Sequence, residues 1–142
     1  MIEREYGKVV LSHELSEVLT LMMAHFDIPE NAKRIALNCR HQHYYQHREG
    51  LHPIEIQLDK QASQHWTIVC MASFSYPTEE HQELDVELYF HLKNGWCYQP
   101  DAGGELSMAQ PTILSVFQSW THALYKHLTS KAFDDIALTL VH

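Results

Sequence analysis

The sequence predicts an α+β domain, an antiparallel sheet of five or six strands with an N-terminal and a C-terminal helix covering one face. Three observations carry this prediction. Two segments, one near each end, keep apolar residues at helical spacing. The residues between them switch to a period of two. The strands also follow one another without intervening helices, which excludes a doubly wound parallel sheet. The 142 residues fit a single domain over 1–142, with no linker, repeat or low-complexity stretch to divide them.

Ser12 precedes the first periodic run and predicts an N-cap. Leu15, Val18, Leu19, Met22, Met23 and Phe26 form one stripe, so this helix runs to about Phe26, faces a core, and is closed by Pro29. From Lys33 the period is two. Ile35, Leu37 and Cys39 alternate with Ala36, Asn38 and Arg40, and Ile54, Ile56 and Leu58 alternate with Glu55, Gln57 and Asp59. Leu84, Val86, Leu88, Phe90 and Leu92 alternate with Asp85, Glu87, Tyr89, His91 and Lys93. One apolar and one polar face per strand is the pattern of an antiparallel sheet covered on one side. The segment from Trp66 to Tyr76 is apolar on both parities and predicts a central strand.

Asn94-Gly95 predicts a tight type I′ hairpin leading into Trp96-Cys97-Tyr98. Pro100 to Glu105 reads as a loop. Ser107 and Gln110 have capping-box spacing, with Pro111 tolerated in the first turn. Ile113, Leu114, Phe117, Trp120, Thr121, Leu124, Tyr125 and Leu128 then keep helical spacing to about Ser130. Ile136, Leu138 and Leu140 make a final strand. Trp66, Trp96 and Trp120 all fall in these elements, where core packing is expected of them.

The one compositional anomaly is 12 histidines. Four of them, His41, His43, His47 and His52, fall within twelve residues. If the strand through Cys39 continues to His43, then His41 and His43 share a face about 7 Å apart, and both imidazoles lean toward one transition-metal ion with His47 as a third ligand. A solvated His-rich loop and a pH-responsive one are the competing readings. His13 and Glu17 hold the positions of a zincin motif but lack its second His, and His122 and His127 are five apart, which places both at the surface without a shared face. Glu55, Asp59, Asp85 and Glu87 lie on the polar parity of two strands. If those strands pair, two carboxylates approach, the arrangement acid–base catalysis uses; like charges on a solvated face are the alternative. No phosphate-binding glycine loop, nucleophile elbow or Cys/His catalytic signature is present.

Ten Lys and Arg against 18 Asp and Glu leave a net charge of −8, which argues against binding a phosphate backbone and so against a nucleic-acid partner. Protonating half of the histidines would bring the net to −2, so this charge is soft near neutral pH. Much of the acidity falls on the polar strand parity and at Glu79-Glu80, predicting an acidic sheet face beside a His-rich edge, whose association responds to pH between about 6 and 7.5. Cys39, Cys70 and Cys97 are scattered and sit in apolar stretches, as buried free thiols do. The N-terminal residues lack the apolar core of a signal peptide and no run is long enough to span a bilayer, so a cytoplasmic location without membrane insertion is expected.

Gly50-Leu51-His52-Pro53-Ile54-Glu55-Ile56 resembles a motif of the bacterial family known as domain of unknown function 2787 (DUF2787). The resemblance continues through a Trp-led strand ending in Phe74-Ser75-Tyr76, a short acidic loop, and Glu83-Leu84 before the next strand. It covers about residues 33–92. The stretch from His41 to His47 departs from the family, and Ser73 stands where the family usually has Asp. The resemblance implies a strongly twisted antiparallel sheet of about five to seven strands, similar to the mitochondrial matrix acidic glycoprotein fold. Proteins of that fold are acidic and oligomeric and act by binding other proteins. It brings no activity and no cofactor, and it marks His52 and Glu55 as binding positions. A structural role stands beside it, since Pro53 fits the first position of a strand and His52 can hydrogen-bond across the preceding turn. The expectation is a non-enzymatic interaction or scaffold domain forming a homo-oligomer, with a protein partner. Small-ligand or transition-metal binding through 41–52 is the alternative, and a hydrolase built on strand carboxylates comes third.

Overall fold

The computed structural model describes residues 1–142, the side chain of Ser63 apart. A short hairpin of β1 (Glu5–Tyr6) and β2 (Val9–Val10) leads into α1 (His13–Met23). Then come β3 (Arg34–Arg40), the short helix α2 (Gln42–His47), β4 (Ile54–Lys60), β5 (Trp66–Ser75), β6 (Asp85–His91), β7 (Trp96–Gln99) and β8 (Gly104–Ser107). The long helix α3 (Pro111–Thr129) and β9 (Asp135–Leu140) complete the chain. The main sheet has seven antiparallel strands in the order β8-β7-β6-β5-β4-β3-β9. The strand that is apolar on both parities, β5, therefore lies at the centre.

Both long helices cover one face of the sheet. Leu15, Leu19 and Met23 of α1 and Ile113, Phe117 and Leu124 of α3 join Ile35, Leu37, Ile56, Leu58, Ile68, Met71 and Phe90 in one core. Phe90 meets Phe117 and Trp120 edge-on, with centroids 5.1 and 5.4 Å away, the preferred aromatic geometry. Ala36, Cys70 and Ala72, on the other parity, are buried yet stand outside that core. They are small residues flanked by the longer side chains of the uncovered face. Tyr6 fastens the N-terminal hairpin to the sheet: its hydroxyl donates to the Glu3 carbonyl and accepts from the Ile68 amide.

Several local expectations change. Helix α1 stops at Met23 because the last amides tighten: His25 and Phe26 donate to the carbonyls three residues back. Ser12 does cap it, accepting from Leu15 N–H at 3.2 Å. The 94–95 turn is not a two-residue hairpin. His91 pairs with Trp96 across a four-residue loop, and Gly95, unlike Asn94, has positive φ. The capping box at Ser107 and Gln110 does not form, because Ser107 Oγ accepts from Ala109 N–H instead and Gln110 caps α3 without its side chain. The stretch after Pro100, read as a loop, is a 3-10 turn followed by edge strand β8, and the two-residue strands β1 and β2 were too short to show a period.

Candidate functional site

The chain turns sharply after His41. Instead of continuing β3, it enters α2, which ends at Arg48 in the left-handed region (φ 60°). The premise of a strand through His43 therefore fails. His43 and His47 lie one helical turn apart with tilted rings 4.4 Å between centroids, and among the described residues no group of three or more His, Cys, Asp or Glu side chains is arranged to hold a metal ion. His41 has a different task. Its Nδ1 accepts the Leu51 amide at 3.3 Å, and a Cβ on Gly50 (φ 108°) would overlap its ring. Gly50 thus opens the Gly-Leu-His-Pro motif because its backbone conformation and its contact with His41 both leave no room for a side chain.

This turn delivers His52 to one end of the helix-covered face. The buried Tyr44 of α2 lies against the His52 ring, centroids 4.5 Å apart, and is itself backed by Tyr76 and by the Arg48 guanidinium over the Tyr76 ring. His52 Nδ1 lies 2.7 Å from Glu87 Oε2. Simple alternation would put Glu87 on the uncovered face. A β-bulge changes that: Ser73 stands opposite Leu88 but Phe74 opposite Val86, so Glu87 is the extra residue and turns toward the helices. The pair lines a cleft of about 420 Å³ between β6 and α3, walled also by Ser73, Gln99, Val116 and Trp120. His127, expected at the surface, is half-buried and lines this cleft, whereas His122 is exposed.

Glu55 does not join His52. It stands one residue past Ile54, on the opposite face, where it accepts from Gln57 Nε2 at 3.0 Å. The strand carboxylates do not converge either, because β5 separates β4 from β6 and the bulge removes Glu87. Nor is the uncovered face simply acidic. Arg34 clamps Asp59 through two nitrogens, the Nη2–Oδ2 bond being 2.9 Å, and Lys93 adds a second cation 3.7 Å away. The Arg34 bonds hold the Asp59 carboxyl below the usual carboxylate range. Arg40 meets Asp135 through one longer contact, Nη1 to Oδ2 at 3.5 Å.

The uncovered face carries aromatic rings beside these ions. Trp96 stacks on His91 (4.8 Å, 11° between planes) and on Tyr89 (5.3 Å, 23°). Trp96 was expected in the core, but the parity of β7 buries its neighbour Cys97 and leaves Trp96 and Tyr98 on the open side. Trp66 is buried as expected, and Trp120 is partly buried at the cleft. All three cysteines are buried and free, and burial pushes the Cys39 thiol up to about 12. No sequence signal marked Gln99 or Val116, and Ser73 stood out only as a departure from the family motif, since the three meet only through the bulge and the crossing of α3 over β6.

A family model described as "Protein of unknown function (DUF2787)" matches residues 10–139, well beyond the stretch whose motifs resemble it. Comparison with curated proteins finds no match. Two solved structures from Vibrio cholerae share the fold. One is a hypothetical protein of the VSP-II pathogenicity island, 22% identical with a TM-score of 0.80, covering 92% of this chain and 93% of its own. The other is a conserved hypothetical protein of pathogenicity island VPI-2, 22% identical with a TM-score of 0.74, covering 98% and 100%. It is described as sharing structural homology with the human P32 protein. Among the described residues no helix is long and apolar enough to cross a membrane.

Proposed function

We propose, for a chain that belongs to the DUF2787 family, that it is a protein-interaction domain whose uncovered sheet face binds a second copy of itself. The carrying observation is the composition of that face. Tyr89, Trp96, Tyr98 and Arg34 are the residue types that dominate interface energetics, and here they stand together without a helix over them. The face is also its own electrostatic complement. Arg34 and Arg40 of β3 stand beside Asp59 of β4 and Asp135 of β9, and Lys93, past the end of β6, reaches Asp59, so the face carries both signs that a second copy can match. The resemblance to the human P32 protein described for the VPI-2 protein points in the same direction.

Sedimentation velocity over a wide concentration range tests this reading. The wild type should sediment as an oligomer, while Trp96→Glu and, separately, the milder Lys93→Glu should shift it toward monomer with unchanged circular dichroism. A wild type that remains monomeric at high concentration overturns the reading. So does an oligomer that both variants leave intact.

A further inference from the structure

We propose that the cleft between β6 and α3 binds a small amphipathic cation, a primary amine or guanidinium carried on an apolar or aromatic body. It lies on the helix-covered side and is independent of the self-association proposed for the other face. At about 420 Å³ it is the size of a typical small-molecule site.

Its polar wall carries one carboxylate among groups that can accept hydrogen bonds. In the neutral tautomer that donates Nδ1–H to Glu87 Oε2, the His52 Nε2 is a lone-pair acceptor, and the second Glu87 oxygen stays available. Ser73 and Gln99 add neutral polar groups beside them. Among the described residues no Lys or Arg lines the cleft, so an anionic ligand would meet the Glu87 carboxylate with only the imidazoles of His52 and His127 to offset it. The opposite wall is apolar. Val116 is 41% exposed at the cleft, and Trp120 supplies an indole, the strongest cation–π partner among side chains. A donor-rich cationic head at Glu87 and His52 with its body against Trp120 satisfies both walls.

The acceptors are also held in place before any ligand arrives. Tyr44 packs against one side of the His52 ring and Glu87 fixes its Nδ1, while the bulge aims Glu87. Little ordering is then left for binding to supply.

Two-dimensional NMR of the labelled protein tests the proposal, with phenethylamine as probe and phenylacetate as its anionic counterpart. Phenethylamine should shift the Trp120 indole and His52 resonances saturably, and phenylacetate should not. Glu87→Gln should weaken phenethylamine roughly tenfold. Ala123→Trp, a substitution at an exposed α3 position lining the cleft, should block binding with the melting temperature kept. Absence of saturable shifts with phenethylamine overturns the proposal. Equal shifts with phenylacetate, or undiminished binding in both folded variants, do the same.

Discussion

The two faces of the seven-stranded sheet are built from alternate residues of the same strands, yet they are held together by different physics. On the covered face Ile56, Leu58, Met71 and Phe90 are fully buried, and their contribution scales with the apolar area removed from water. On the uncovered face Asp59, Tyr89 and His91 keep part of their surface in solvent; Asp59 pairs with Arg34, and the rings of Tyr89 and His91 stack on Trp96. The core face is specified residue by residue through volume. The open face is specified through pairing, which leaves its outer side free for another molecule. That is why the fold can be placed with the first set and a function argued from the second.

Neighbouring residues of β6 offer the sharpest test of this contrast. Phe90→Ala removes a fully buried ring set edge-on to two aromatics and should cost about 3–5 kcal/mol in urea unfolding. Tyr89→Ala removes a ring stacked on Trp96 at the surface and should cost about 1 kcal/mol. Equal losses would mean that the open face is packed as tightly as the core, and the contrast between the faces would break.

Gly50 controls which side chains reach which face. It sets the turn that sends His52 to the helix side before Glu55 emerges on the other. Gly50→Ala combines a left-handed backbone with an overlap against His41 and should destabilise by about 1–3 kcal/mol. It should also shift the NMR resonances of His52 while leaving those of Tyr89 and Trp96 in place. If both sets move together, the turn and the open face form one cooperative unit and the division between the faces is less sharp.

The covered face was legible because periodicity reports burial. Ile35, Leu37, Ile56, Leu58 and Phe90 all sit where the period-two pattern puts them, and the two helical stripes find their places over them. The candidate cleft was only half legible. His52 stood out through the motif resemblance, but its partner Glu87 looked like any polar-parity carboxylate. The bulge that turns it is a one-residue mismatch between two strands, and nothing within β6 alone records the register of β5. The His-rich stretch misled for a related reason. His41 and His43 fit the preceding alternation, and the turn into α2 rests on long-range contacts of Tyr44, which donates no periodic signal of its own.

The smaller effects separate two ionisable groups of the open face by pH. Asp59 is 17% exposed and its folded-state pKa is lowered, chiefly by the hydrogen bonds from Arg34. Its stabilisation is therefore complete above the unfolded carboxylate value near 3.9 and is lost as pH falls through the lower folded value. Asp59→Asn should cost about 1–2 kcal/mol at neutral pH and remove that part of the acid loss. His91 has a lowered pKa for the opposite reason: burial against Trp96 disfavours the charged ring, and Lys93 and Arg34 add to it. Its Nδ1 also accepts from Asn94 N–H at 3.2 Å, a bond that protonation there would remove. The unfolded chain then binds the extra proton first, so stability should fall as pH drops below about 6.5 and level off beneath the folded value. Replacing His91 with Gln should flatten this step, worth less than about 1 kcal/mol, and leave the Asp59 step in place. Urea titrations of both variants from neutral to acid pH resolve the two windows. A single merged step lost in either variant would show the ion cluster and the aromatic stack titrating as one unit, and the pairing picture of the open face would have to give way to a coupled network.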